Sequence, residues 1–207
     1  RQRQMCIRDS HGALPHLNTP HLVDTYIAEN GTGSDDTQEN STTLKVGELS
    51  TGFQSAALIR IPLAEVPQPA SARVTGAELS LFAEYGSMEN EPVAIRPVLQ
   101  PWTTAANATT YDGTNAWSQQ GGRAVGTDIG GVVDLVSSVS DDWMDFDVTE
   151  SVQAALAAGQ NHVSLIVYTS AQTTDEITFT STEGCSSERP YLTLTGEDGT
   201  VATPAVS

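Results

Sequence analysis

The stretch Asp145–Tyr168, DFDVTESVQAALAAGQNHVSLIVY, reads as the end of a strand, a capped helix, a tight turn and a new strand. In WMDFDV, Met144, Phe146 and Val148 fall on one face and Trp143, Asp145 and Asp147 on the other, the two-residue period of a half-buried strand. The period then changes. Asp147 offers a side-chain acceptor with Glu150 three residues on, the spacing of a capping box that satisfies the free amides of a helix start. Val152, Ala155 and Leu156 form a narrow apolar stripe, Gly159 is a natural stop, and VSLIVY resumes as an apolar, β-branched strand. On this reading Asp147 caps a helix and Asp145 points away from the core, so neither is needed as a catalytic acid.

The flanking sequence supplies partners for that unit. LVDTYI, TLKVGEL, QSAALIRIPL, VTGAELSLFAEY, PVAIRPVLQPW and VVDLVSS precede it, and EITFTST and RPYLTLT follow it, each a short run with strand character bounded by turn formers. Pro97 argues for an edge position or a bulge in its strand. About ten strands and one short helix, with turn signals roughly every ten residues, predict an all-β antiparallel sandwich of two sheets packed face to face. Residues 103–131 break the rhythm with almost no apolar period. An excursion of that length is commonly functional or disordered, and this one carries Tyr111 and Trp117.

Charge narrows the partners. Nine basic residues against 26 acidic ones leave a formal net charge of −17, and Lys45 is the only lysine. Such a surface repels nucleic acid and anionic membranes. It suits a secreted protein in saline surroundings, where salt screens the self-repulsion, and it serves equally as a solubility device. No apolar run is long enough to span a membrane.

The ends are set apart from the fold. RQRQMCIRDS has neither an initiator methionine nor an apolar signal core and is read as adapter-derived. Residues 1–21 are therefore treated as a non-native or linker segment, 22–196 as the folded module and 197–207 as a tail or linker. His11, His16 and His21 recur at intervals of five, which suits neither a helix face nor a strand face, so they read as linker. Two cysteines, Cys6 and Cys185, do not make a disulfide framework, and Cys185 is expected as an inert thiol.

Taken in order, DTYI, TLKVG, ALIRIPL, VTGAELSL, VAIRPVLQPWT, a GG pair, DFDVTESVQAALAAGQN, SLIV and FTSTEGCSSERPYLTLT resemble the DNRLRE-domain family, which is similar to a group of carbohydrate-binding modules; the resemblance spans residues 23–195. It implies a secreted or surface-displayed β-sandwich of jelly-roll type, non-catalytic, tethered to the other domains of a polysaccharide-degrading enzyme, adhesin or matrix protein. Pro62 stands where the family commonly has an aspartate after the arginine strand, and Ala155 where its helix often has a tryptophan. The first puts in doubt any family charge partner for Arg60, which by itself is expected to pair with a carboxylate of its own fold. The second predicts lighter packing under the helix.

Sugar recognition on such a scaffold calls for exposed rings beside polar side chains. The ligand-binding candidates are Tyr111 and Trp117 in the excursion, Trp143 beside Asp141 and Asp142, and Trp102 at a strand end, where packing is the competing reading. Calcium recurs in modules of this kind, and hard oxygen ligands suit it. Asp24 and Glu183 can meet if the first and last strands are neighbours, with pairing to Arg189 as the alternative; the acidic loop Asp35, Asp36 and Glu39 is a second candidate. Enzyme signatures are missing: His162 is the only histidine of the module, and no nucleophile-elbow, zinc-protease or phosphate-loop pattern accompanies it. The expected function is a carbohydrate-binding or adhesion module for a neutral glycan, or for an acidic one bridged by calcium. A structural matrix or filament subunit is the alternative, followed by a polysaccharide lyase or hydrolase.

Overall fold

The computed structural model describes residues 22–28, 38, 40–50, 53–63, 74–84, 92–118, 134–137, 139–169 and 176–196. Ten strands and one helix run in the order β1 (Val23–Ala28), β2 (Thr43–Ser50), β3 (Phe53–Pro62), β4 (Val74–Ala83), β5 (Pro92–Pro97), β6 (Asp134–Ser137), β7 (Asp142–Asp147), α1 (Thr149–Ala157), β8 (His162–Thr169), β9 (Glu176–Thr180) and β10 (Tyr191–Gly196). All recorded pairings are antiparallel. The all-β expectation is met, with one refinement. Two sheets were expected, whereas the hydrogen bonds join every strand into one strongly curled sheet.

The strand register explains the curl. β3 has β1 along one edge; on the other, β8 pairs with Ala57–Pro62 and β2 with Phe53–Ser55. β4 lies between β10 and β7. β2 pairs in turn with β9, and β9 meets β4 only through Ala83 and Phe179. One half, β1–β3–β8–β5–β6, is thus tied to the other, β10–β4–β7, through β2 and β9. The inward side chains of both halves form a single core that includes Ile59, Leu165, Leu81, Phe146 and Phe179. Pro97 is the last residue of β5, where its missing amide interrupts no further ladder bond.

The deciding stretch folds as its periodicity dictates. Met144, Phe146 and Val148 are buried, while Asp145 and Asp147 are exposed. α1 turns Val152 and Ala155 into the core, and Gly159, at φ 67°, ends the helix in the left-handed region that glycine favours. The helix begins one residue later than the capping-box spacing implies, with Val148 at the N-cap position. Asp147 still serves the helix start, because its Oδ1 accepts the Thr149 amide at 2.9 Å. Hydrogen bonds from Thr149, side chain first and then backbone, hold the Asp147 carboxyl below its usual pKa. Asp147→Ala is expected to cost about 0.5–2 kcal/mol of stability, measured by denaturant unfolding; an unchanged midpoint would show that the helix start does not depend on this carboxylate.

A second, smaller core lies on the opposite face of the β1–β3–β8–β5 half. Residues 98–118 fold back over that face and seat Trp102, Ala106 and Trp117 against Ile27, Leu58 and Ile166. The excursion is held by its own polar groups as well. Asn107 Oδ1 accepts from the amides of Thr109 and Thr110 at 3.0 and 2.7 Å, and Trp117 Nε1 donates to the Asn107 carbonyl at 2.8 Å. Its first half is therefore a packed cover for a sheet face. Residues 119–131, the three terminal-segment histidines, Cys6 and the loop bearing Asp35, Asp36 and Glu39 lie outside the described residues.

Candidate functional site: an aromatic and acidic sheet face

Residues alternate across a strand, so the register of β10, β4 and β7 predicts what shares their outer face. Phe82 lies opposite Trp143, Ser80 opposite both Asp145 and Tyr191, and Glu78 opposite both Asp147 and Thr193. The left-handed Asp141 leads into β7, and Asp142 Oδ1 accepts the Trp143 amide at 2.8 Å. Trp143 is half-buried, with Phe82 edge-on at 5.3 Å between centroids and Tyr191 edge-on at 4.9 Å. These edge-to-face contacts set the indole within a row of three rings.

Beside the rings the same face turns polar. Ser80 Oγ donates to Asp145 Oδ1 at 2.6 Å, and Glu78, Asp145 and Asp147 are exposed. Burial, then repulsion from Asp145 and Asp147, pushes the Glu78 carboxyl above its ordinary pKa. Rings beside hydroxyl and carboxylate acceptors are the groups that pack on sugar C–H faces and read sugar hydroxyls.

Of the four rings expected from the sequence, only Trp143 stands on this face. Trp102 is fully buried, which agrees with its packing reading, and Trp117 is 4% exposed, so neither presents a ring face to solvent. Tyr111 is half-buried and meets Trp117 edge-on at 5.7 Å on the other side of the molecule, within the smaller core. Tyr191, Phe82 and Glu78 were not among the candidates. Their signal was present in the alternation of YLTLT and ELSLF, which places all three on the polar face of their strands.

Arg60 departs from expectation. Among the described residues its partners are the Trp102 carbonyl, which accepts from Nη2, and the Trp102 ring, 4.4 Å from the guanidinium carbon. No carboxylate joins them, as the Pro62 departure foreshadows. Burial lowers the pKa of Arg60. Cys185 is also corrected: it is held in a disulfide and is not a free thiol.

Asp24 and Glu183 do come together, through Thr182. Asp24 accepts from the Thr182 amide at 2.8 Å and from its hydroxyl at 3.1 Å, and that hydroxyl also lies 3.2 Å from Glu183 Oε2. Arg189 is not among the partners of Asp24. Burial raises the Asp24 pKa to about 6 despite the Thr182 hydrogen bonds. A carboxyl that holds its proton more tightly when folded adds stability below its unfolded pKa and loses it as pH rises through the folded one. Relative to Asp24→Asn, the chelator-treated protein is therefore expected to lose about 2–3 kcal/mol between pH 4 and 6.5. Parallel stability–pH curves for the two proteins would exclude this.

A cleft of about 350 Å³ between α1 and the end of β5 is lined by Leu99, Glu150, Gln160 and Ser164, among others. Among its described lining residues Glu150 is the only carboxylate, and there is no histidine or aromatic ring, so these residues do not assemble an acid pair or a histidine–tyrosine pair. No curated protein matches the chain. A family model does match, over residues 18–196, and its description is carbohydrate-binding module family 96. The match supports the carbohydrate-binding side of the resemblance drawn from the sequence without carrying the DNRLRE name. With its curled β-sheet and with the half-buried Trp143 and Tyr191 packed around a buried Phe82 on one sheet face, the chain belongs to carbohydrate-binding module family 96 and is a non-catalytic module.

Proposed function

We propose that the glycan lies along the outer face of β10–β4–β7, with Trp143 and Tyr191 packing against its rings and the exposed Glu78 and Asp145 accepting from its hydroxyls, Asp145 held in place by the buried Ser80. The observation that carries this reading is the row of rings beside polar acceptors on one sheet face of a carbohydrate-binding module. The acidic field favours a neutral glycan, or an acidic one only where calcium bridges the charges. The module works outside the cell or on its surface, tethered to the other domains of a larger protein, where it anchors or adheres; no described helix is long and apolar enough to cross a membrane. A filament-subunit role would call for an open strand edge. β1, β6, β7 and β10 each have one recorded strand partner, and of these β1 is buried from Asp24 to Ile27; the ring row on the β10–β4–β7 face is what favours the glycan over that role.

Calcium belongs to this proposal at Asp24 and Glu183. The two carboxylates fall short of a cage by themselves, since Ca²⁺ takes six to eight oxygens; among the described residues no group of three or more His, Cys, Asp or Glu side chains is placed to hold a metal. Carbonyls and water would have to complete it. Affinity electrophoresis on a panel of neutral and acidic polysaccharides, with calcium or with chelator, is expected to show retention on a neutral polymer in both conditions. Absence of retention on every polymer would overturn the glycan reading, and a melting temperature indifferent to calcium would remove the ion.

A further inference from the structure

A cation set against an apolar core needs a counter-charge or a full set of acceptors, and among the described residues Arg60 has neither. Its Nη2 donates to the Trp102 carbonyl and its guanidinium lies over the Trp102 ring, but its buried Nε has no acceptor. Two further buried groups beside it are in the same position. Alternation along β3 and β8 puts Arg60 and Leu58 on the face covered by residues 98–118, together with Ser164 and Ile166. Ser164 is directly opposite Arg60, so their Cβ atoms are about 5 Å apart. The Ser164 side chain is 8% exposed and its hydroxyl has no hydrogen-bond partner. The Trp102 indole is fully buried, with its ring 4.4 Å from the guanidinium carbon, and its Nε1 has no acceptor either.

All three orphan groups are donors. A guanidinium and an indole N–H can only donate, and a hydroxyl can. Buried donors are normally paired. Water would accept from part of this set, yet it brings protons that need acceptors of their own, and the set supplies few. An anion accepts from all three and provides the missing charge as well. Because the orphan atoms are closed off from solvent, the ion has to be small, without further oxygens to satisfy. Repulsion from Arg60, after burial, lowers the pKa of His162 two residues before Ser164, so the positive charge is felt along this face. The acidic surface does not forbid an anion here: saline surroundings screen exposed charges beyond about 8 Å, whereas a buried contact is screened little.

We infer that Arg60 Nε, Trp102 Nε1 and Ser164 Oγ together bind a monoatomic anion, chloride in saline surroundings, and that this ion is the counter-charge that helps hold residues 98–118 against the sheet. The site is separate from the proposed glycan face, so its test does not depend on any sugar.

The test is thermal unfolding at a constant ionic strength of about 0.3 M, with sodium isethionate, whose anion is too large for the site, replaced stepwise by sodium chloride. The melting temperature is expected to rise by about 3 °C along the logarithmic course of binding to one site. Chloride NMR of the same samples should show excess line broadening that bromide displaces. Ser164→Ala, which removes one donor from a small side chain, is expected to weaken the chloride midpoint about tenfold. Arg60→Gln is expected to abolish both the rise and the broadening, and Arg189→Gln, which removes the same charge elsewhere, to keep them. A melting temperature indifferent to the exchange of isethionate for chloride overturns the inference. So does a native chloride midpoint in Ser164→Ala, which would put the ion elsewhere and which decides the matter even if Arg60→Gln fails to fold. Loss of the response in Arg189→Gln also overturns it, because total charge would then be the cause.

Discussion

Trp102→Ala is expected to destabilise the module by about 3–5 kcal/mol, the usual cost of truncating a buried aromatic side chain. For a domain of this size that lowers the melting temperature by roughly 10–15 °C. Trp102 is fully buried in the smaller core, and its ring and carbonyl are the partners of Arg60. Truncation opens a cavity between the 98–118 segment and the sheet, and it strips the guanidinium of its aromatic face in a region that burial already makes unfavourable for charge. Trp102→Phe keeps a ring beneath the guanidinium and is expected to lose less than half as much. Thermal unfolding followed by near-ultraviolet circular dichroism checks both. A change of under 3 °C for the alanine variant would mean that the segment does not depend on this anchor.

Trp143→Ala has its largest effect on binding. Aromatic anchors at the centre of a contact commonly contribute 2 kcal/mol or more, so affinity for whichever polymer is retained is expected to fall at least about 30-fold. Stability should change far less than in Trp102→Ala, because Trp143 is only half-buried and packs on the surface of β4 and β10. The opposed pattern is the informative result: one tryptophan for the fold, another for the ligand. Undiminished affinity in Trp143→Ala would move the site off this face. Tyr191→Phe, which keeps the ring, should weaken binding only by the hydroxyl contribution.

The aromatic positions show how far the sequence could be read. A tryptophan in a loop without apolar period is locally indistinguishable from an exposed one, since nothing near Trp117 in the chain indicates what will lie beneath it. Its burial depends on Ile27, Leu58 and Ile166, contributed by three strands distant in sequence. Trp143 was legible because a strand alternates, and Met144 and Phe146 establish which side is the core. The same logic could have found Tyr191, whose neighbours Leu192 and Leu194 are both buried. What alternation cannot supply is the pairing of β10 with β4 and of β4 with β7, and without that register Tyr191, Phe82 and Trp143 are three separate rings.

Asp24 and Arg60 illustrate the same divide for charge. The guess that the start and end of the module meet was enough to bring Asp24 near Glu183. The partner that holds Asp24, however, is the intervening Thr182, with Arg189 taking no part. Arg60 found an indole and a carbonyl where a carboxylate was expected, because residues 98–118 cover that face of the sheet.

The sequence by itself determined the strands, the single helix and its stop at Gly159, and the inward or outward sense of most strand residues. These follow from local periodicity, capping and turn chemistry, which operate over a few residues. It also determined the acidic character that disfavours nucleic acid and polyanions, since net charge needs no coordinates. Only the tertiary structure decided that the ten strands join into one curled sheet, that the 98–118 segment covers a face with Trp102 and Trp117 beneath it, and that Trp143, Tyr191 and Glu78 share another. Those outcomes depend on register and contact between residues that can lie more than a hundred positions apart, where the free energy comes from burying shared surface and no local pattern records it.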